Sequence, residues 1–189
     1  QAGDYDAAIE SLRRSCELQP TLGMAWYNLG VMLTRSVRND EATAALQRAV
    51  ELEPRHMQAR ALLADILRMQ GRADEAAAEY RRVLAENPGA GMAWWGLADL
   101  RSGQFSEEDI ASMQATLQDR CNSDDDLIAT GFALAAALHD HGHPAAALRA
   151  IEQANNLARR RRHWDRGAFS ASVTALNQAF DPPPEGAPG

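Results

Sequence analysis

Three prolines, Pro20, Pro54 and Pro88, stand 34 residues apart, and the chain between them repeats position by position. Aligned on the prolines, Ala8 meets Ala42 and Ala76, Leu12 meets Leu46 and Tyr80, and Ser15 meets Ala49 and Val83. On the other half of each unit Leu29 meets Leu63 and Leu97, and Gly30 meets Ala64 and Ala98. A fixed period of this length marks a stack of identical units, each burying its apolar face against its neighbours. Two helices cross closely where one offers a small side chain and the other a large apolar one, and the alternation of glycine or alanine with leucine or tyrosine is that packing. The prolines close each unit, because proline lacks the amide hydrogen and disfavours helix at the preceding residue.

Alanine and leucine are abundant and β-branched residues scarce, so local propensity favours helix nearly throughout. The pattern predicts an all-α right-handed superhelical solenoid of antiparallel helix pairs. Residues 1–3 read as the end of a turn, and 4–18 as the second helix of a hairpin that lacks its first. Two full hairpins follow, 22–35 with 39–52 and 57–69 with 73–86, then a further first helix, 91–100. Residues 1–102 form the array on this reading. After Gly103 the strict period fails. Ser106 with Asp109, and Ser123 with Asp126, are helix-start signals, giving helices over 107–117 and 124–140. Pro144 opens another helix, and Leu134, Ala135, Leu138, Gly142, Ala147, Ile151 and Ala154 recover the repeat register. Residues 103–180 thus read as a degenerate continuation of the array, ending in a capping helix over 166–180. The sequence DPPPEGAPG, 181–189, is a linker by composition. A start in mid-repeat is expected of a piece cut from something longer, and the uncovered face of the first helix is expected to favour self-association.

With Trp26, Leu29, Gly30, Leu33, Ala42, Leu46, Ala49 and Pro54 at its signature positions, the chain resembles the tetratricopeptide repeat family. Two positions depart: Arg60 stands where the family favours tryptophan, and Val37 where it favours a turn glycine. A second resemblance lies in Ala93 to Met113, Phe132 to Arg159 and Trp164 to Phe180. These stretches resemble the region joining repeats to the catalytic domain in bacterial repeat-containing sulfotransferases. That likeness implies a parent enzyme dependent on the phosphosulfate donor PAPS, of which this chain would be the substrate-recruiting arm, with the sulfotransferase domain as its covalent neighbour. The Gly-x-Pro-Arg-Ser-Gly-Thr-like loop that cradles the donor in that family is absent from this sequence, so no catalytic residue and no cofactor is expected in it. The chain is expected to be a non-catalytic scaffold.

Solenoids of helix pairs line their concave surface with the first helices, so ligand-binding residues are sought there among polar and aromatic positions that the core does not need. Tyr27, Asn28, Arg35, Gln58, Asp65, Arg68, Trp95 and Asp99 meet that description, and the expected partner is a protein or peptide segment. Aromatic and arginine side chains supply most of the binding energy in such grooves, which favours Tyr27, Arg35, Arg68 and Trp95. The competing reading of each is solvated helix surface. Trp94 stands where Trp26 does and reads as core. The chain has no lysine, so the Lys/Asn clamp by which some family members hold a peptide's terminal carboxylate is not expected.

The net charge of −7 argues against a general nucleic-acid binder. No apolar run approaches the ~20 residues that span a bilayer, and a cytoplasmic, membrane-free protein is expected. Cys16 and Cys121 form neither a disulfide framework nor a zinc pattern, and Cys16 reads as a buried thiol. His139, His141 and His143 are a weak candidate for a metal site, against the alternative that they close a helix beside Gly142. His56 and His163 read as lone surface residues. The run from Arg159 to Arg162 reads as solvated surface or as an anion-docking patch.

Overall fold

The computed structural model describes residues 2–100, 105–119, 121–161, 170, 171 and 173–175. Among them are nine long helices: α1 Ala2–Leu18, α2 Gly23–Arg35, α3 Asn39–Leu52, α4 Met57–Met69, α5 Ala73–Glu86, α6 Gly91–Asp99, α7 Glu107–Gln118, α8 Asp124–Asp140 and α9 Pro144–Arg161. No strand occurs among the described residues. α1 begins at Ala2, so Gly3 does not belong to a turn as the sequence reading had it. A glycine in the first turn costs the helix little, because the amides there have no intrahelical acceptor in any case.

α2 with α3, and α4 with α5, are the antiparallel hairpins the period predicts, and each second helix also packs on the next first helix. Ala42, Leu46 and Ala49 in α3, and Ala76, Tyr80 and Val83 in α5, are buried against Leu29, Leu33, Leu63 and Leu67. The small positions are spatially required. A Cβ on Gly30 would stand 2.6 Å from the Leu46 side chain. Every hairpin turn has one geometry. Val37, Gly71 and Gly142 take left-handed backbone, with φ of 61°, 76° and 76°. At each, the amide after the turn residue bonds back to the carbonyl five residues upstream: Arg38 to Leu33, Arg72 to Leu67 and His143 to Leu138. This is a Schellman closure.

The repeat loosens at α7. That helix starts 34 residues after α5 and so keeps the register, but Ile110 stands where Ala42 and Ala76 do, and Gln114 where Leu46 and Tyr80 do. A branched side chain at the small position and a polar one at the large position remove the close hairpin contact. α7 packs on α8 instead, and α8 is the extensive partner of α6. Two contacts still hold α7 and its leading loop near α6: the Thr116 hydroxyl donates to the Pro88 carbonyl at 3.0 Å, and Phe105 is buried with its ring 6.3 Å from that of Trp94. α8 is pinned by the Gly91 amide donating to Asp126 Oδ1 at 3.0 Å. The linker expected over 181–189 lies outside the described residues, as does most of the helix expected over 166–180.

Candidate functional site

The first helices turn one face to the core and leave a second face open. On the core side, position 26 and its repeats share one hydrogen bond. Trp26 Nε1 donates to the Pro20 carbonyl at 3.1 Å, Arg60 Nε to Pro54 at 2.7 Å and Trp94 Nε1 to Pro88 at 2.9 Å. Arg60 therefore reproduces the indole donor with its guanidinium. Its charge is balanced by Glu79, 2.6 Å away, the two side chains being 12% and 10% exposed. Glu79 stands where Ala45 does in the preceding hairpin. Trp94 is buried, as is Cys16, where burial raises the thiol pKa.

The open face gathers three of the sequence candidates. Arg68 donates from Nη1 to Asp99 at 2.5 Å and from Nε to the Tyr80 hydroxyl at 3.3 Å, and the Tyr80 hydroxyl donates to Asp65 at 2.6 Å. One network thus ties α4, α5 and α6. Burial, then the bond to Asp65, pushes the Tyr80 phenol well above its ordinary range, so it stays a donor. Tyr80 is core by burial and was not among the sequence candidates. Its hydroxyl is what makes Asp65 and Arg68 a unit.

Tyr27 is not in that network. Its ring lies 4.5 Å from that of His56. His56 is half-buried rather than a lone surface residue: its Nδ1 accepts from the Ala59 amide at 3.2 Å and caps α4. The cap was not legible because histidine is an uncommon N-cap. His163 lies outside the described residues. Asn28, Arg35 and Gln58 are exposed.

Trp95 is 42% exposed, and its ring meets Phe132 of α8 edge-on at 6.0 Å. Phe132 holds the same place in its helix as Tyr27 and Ala61 in theirs, ten residues before the left-handed turn residue. Trp95 follows Ala61 by one period. The two rings open onto an apolar groove of about 480 Å³, whose far wall is Pro144, Ala147, Leu148 and Ile151. Sequence reasoning missed Phe132 because the broken period hid its register. It also missed Met24, Met69 and Met92, which are exposed on α2, α4 and α6; Met24 and Met92 stand one period either side of Gln58, and Met69 one period after Arg35.

The histidines close α8. The Gly142 amide bonds to the His139 carbonyl at 3.0 Å, and His141 Nε2 donates to the Phe105 carbonyl at 2.7 Å. Among the described residues no three His, Cys, Asp or Glu side chains converge as a metal site would require. Arg159 and Arg160 are exposed at the end of α9, while Arg162 lies outside the described residues. No helix among those described is long and apolar enough to cross a membrane.

Repeated helical hairpins with one buried and one open face define a helical-repeat scaffold. The sequence matches the model of the tetratricopeptide repeat over residues 1–50, 35–91 and 70–101, and the chain belongs to that family. Among solved structures, a crystal structure of MamA is similar with a TM-score of 0.68 at 17% identity, over 86% of this chain and 93% of that one. MamA from residue 41 onward, of Desulfovibrio magneticus RS-1, gives 0.63 at 18% identity, over 83% and 87%. YrrB, described as a TPR protein with an unusual peptide-binding site, gives 0.64 at 14% identity, over 82% and 78%. At these identities the likeness is one of fold. No curated protein sequence matches the chain. The resemblance to the sulfotransferase linker region draws no support from these comparisons.

Proposed function

We propose that this scaffold binds a segment of another protein along the open face of α2, α4, α6 and α8, with an apolar side chain of the ligand seated on Trp95 and Phe132. The observation that carries the reading is the exposure of Trp95. An indole left 42% open on an aromatic partner, beside further uncovered apolar side chains, is the anchor pattern of a binding surface. Met24, Met69 and Met92 extend the apolar surface with side chains that adapt to different ligands. Asp65, Arg68 and Asp99 supply charged groups already fixed by mutual hydrogen bonds, which lowers the entropy lost on binding. Tyr27 and the exposed Asn28, Arg35 and Gln58 complete the row. YrrB, similar in fold, is described as having a peptide-binding site, which supports the same use of this one.

Panning a random peptide library against the full chain tests the reading. Selected peptides are expected to lose at least about tenfold in affinity for Trp95→Ala, the size of one moderate hot spot. Equal binding to the parent and to Trp95→Ala would place the site elsewhere. The sequence resemblance carries a second form of the proposal, in which the segment bound is the acceptor of an attached sulfotransferase domain; the reading frame beyond Gly189 decides it.

A further inference from the structure

Trp26, Arg60 and Trp94 stand one period apart, and so do Ala45, Glu79 and Met113 on α3, α5 and α7. The gap between the two positions is closed differently in each repeat. In the second, Glu79 spans it and accepts from Arg60 Nη1 at 2.6 Å. In the third the filling is apolar: Met113 is fully buried, Phe105 brings its ring to 6.3 Å from that of Trp94, and the indole is buried. In the first the residue is Ala45, whose side chain ends at Cβ and cannot cover the distance that Glu79 covers. Trp26 is accordingly only half-buried, and beside it lies a pocket of about 340 Å³ lined by Arg13, Cys16 and Glu17 of α1, by Pro20, and by Trp26 and Leu29 of α2. The counterparts Gln47, Val50, Glu51 and Leu63 line the same notch of the next repeat, where Glu79 and Arg82 make the wall polar. Only the alanine copy leaves an indole uncovered.

The chemistry of the walls defines what fits. Both charged side chains of the pocket are already paired, Arg13 with Glu41 of α3 and Glu17 with Arg14 at 3.3 Å. The indole N–H is committed to the Pro20 carbonyl. An occupant therefore meets apolar surface and no unmatched charge, which complements an uncharged group and would leave an ionised one desolvated without a partner. The molecule supplies the template for that group, since a phenylalanine ring packs on the equivalent indole at Trp94. No free polar group remains to orient a detached small molecule, whereas a side chain arrives oriented by the backbone that carries it.

We propose that the pocket on Trp26 receives a phenylalanine side chain of a partner protein, seated on the indole as Phe105 is on Trp94. None of its lining residues belongs to the open-face row, so this second site stands independently of the ligand read for that face. Titrating the full chain with N-acetylphenylalaninamide, followed by side-chain magnetic resonance, tests it. The Trp26 indole and the Leu29 methyl groups are expected to shift saturably, with a dissociation constant in the millimolar range that a ligand of this size allows. N-acetylglycinamide, which has no ring, should leave them unmoved, and the covered Trp94 indole should respond to neither. Ala45→Met copies the filling by Met113 and should weaken the response at least about tenfold. Trp26→Arg with Ala45→Glu copies the Arg60 and Glu79 pair, a combination the fold already accommodates, and should abolish the shift at Leu29. Trp26 and Leu29 signals indifferent to the ring compound up to about 10 mM would overturn the proposal. So would shifts that N-acetylglycinamide reproduces, or that persist undiminished in both variants.

Discussion

Val37 is the residue at which this sequence pays most visibly for departing from its own repeat. It adopts a φ of 61° where Gly71 and Gly142 stand in the other turns, and left-handed backbone is a genuine outlier for a β-branched side chain. The side chain is exposed and makes no packing contribution in return. Val37→Gly is therefore expected to stabilise the chain by about 1 kcal/mol, a rise in melting temperature of roughly 2–4 °C. A fall on calorimetric melting would mean that the turn relaxes in some other way. Arg60 and Glu79 make the opposite case, a departure that is compensated. Removing the carboxylate alone leaves a largely buried guanidinium with its charge unmatched, so Glu79→Ala is expected to cost about 3 kcal/mol. The double change Arg60→Trp with Glu79→Ala restores the combination found at Trp26 and Ala45, and should cost less than the single one. Denaturant melts of the three variants measure the difference. The tryptophan departure was legible in the sequence; the partner that makes it tolerable, 19 residues away on the facing helix, was legible only once the two helices were in contact.

Among the elements, α6, α7 and α8 depart from the repeated hairpin, and their junctions are where small changes should be felt. A Cβ on Gly91 would stand 2.0 Å from the Asp126 carbonyl oxygen, a backbone atom that moves only if α8 moves. Gly91→Ala is expected to cost about 1–3 kcal/mol and to raise amide exchange in α8 before it does so in α3 or α5. At the start of α7, Ser106 and Asp109 form a reciprocal cap, and Asp109 also takes Arg81 of α5 at 2.5 Å. Burial pushes the Asp109 carboxyl up, but Arg81 and Ser106 outweigh it and hold the pKa below the ordinary carboxylate range. Because the folded value lies below the unfolded one, the stabilisation is complete above the unfolded pKa of about 3.9 and is lost as pH falls through the folded value. The difference in melting temperature between the parent chain and Asp109→Asn should therefore be largest near neutral pH and shrink below about pH 4. A difference that grew on acidification would reverse the sign of the argument. This cap is legible as a local signal, as is that of α8, where the Ser123 hydroxyl accepts from the Asp126 amide at 3.1 Å. The exchange of partners that sets α8 against α6 is not legible, because it follows from how Ile110 and Gln114 fail to pack rather than from any motif they make.

For the whole molecule, the sequence carried the fold through periodicity, since every repeat states the same hairpin and errors in one are corrected by its neighbours. Helix bounds over α3, α4 and α5 follow directly from the prolines and the turn residues. The face proposed for binding is less legible. Periodicity identifies the residues that the core needs, and the surface is what remains after subtraction. Asp65, Arg68 and Asp99 are therefore read singly, without the network that joins them, and Phe132 is hidden because it stands 37 residues after Trp95 where the period is 34. The proposed function rests on that face, and a footprint of the bound state tests it most directly. With a library-selected peptide at saturation, amide exchange and hydroxyl-radical labelling should show new protection confined to α2, α4, α6 and α8, strongest at Trp95 and Phe132. Protection concentrated instead on the exposed sides of α3 and α5 would contradict the account, by assigning ligand binding to the opposite face of the array.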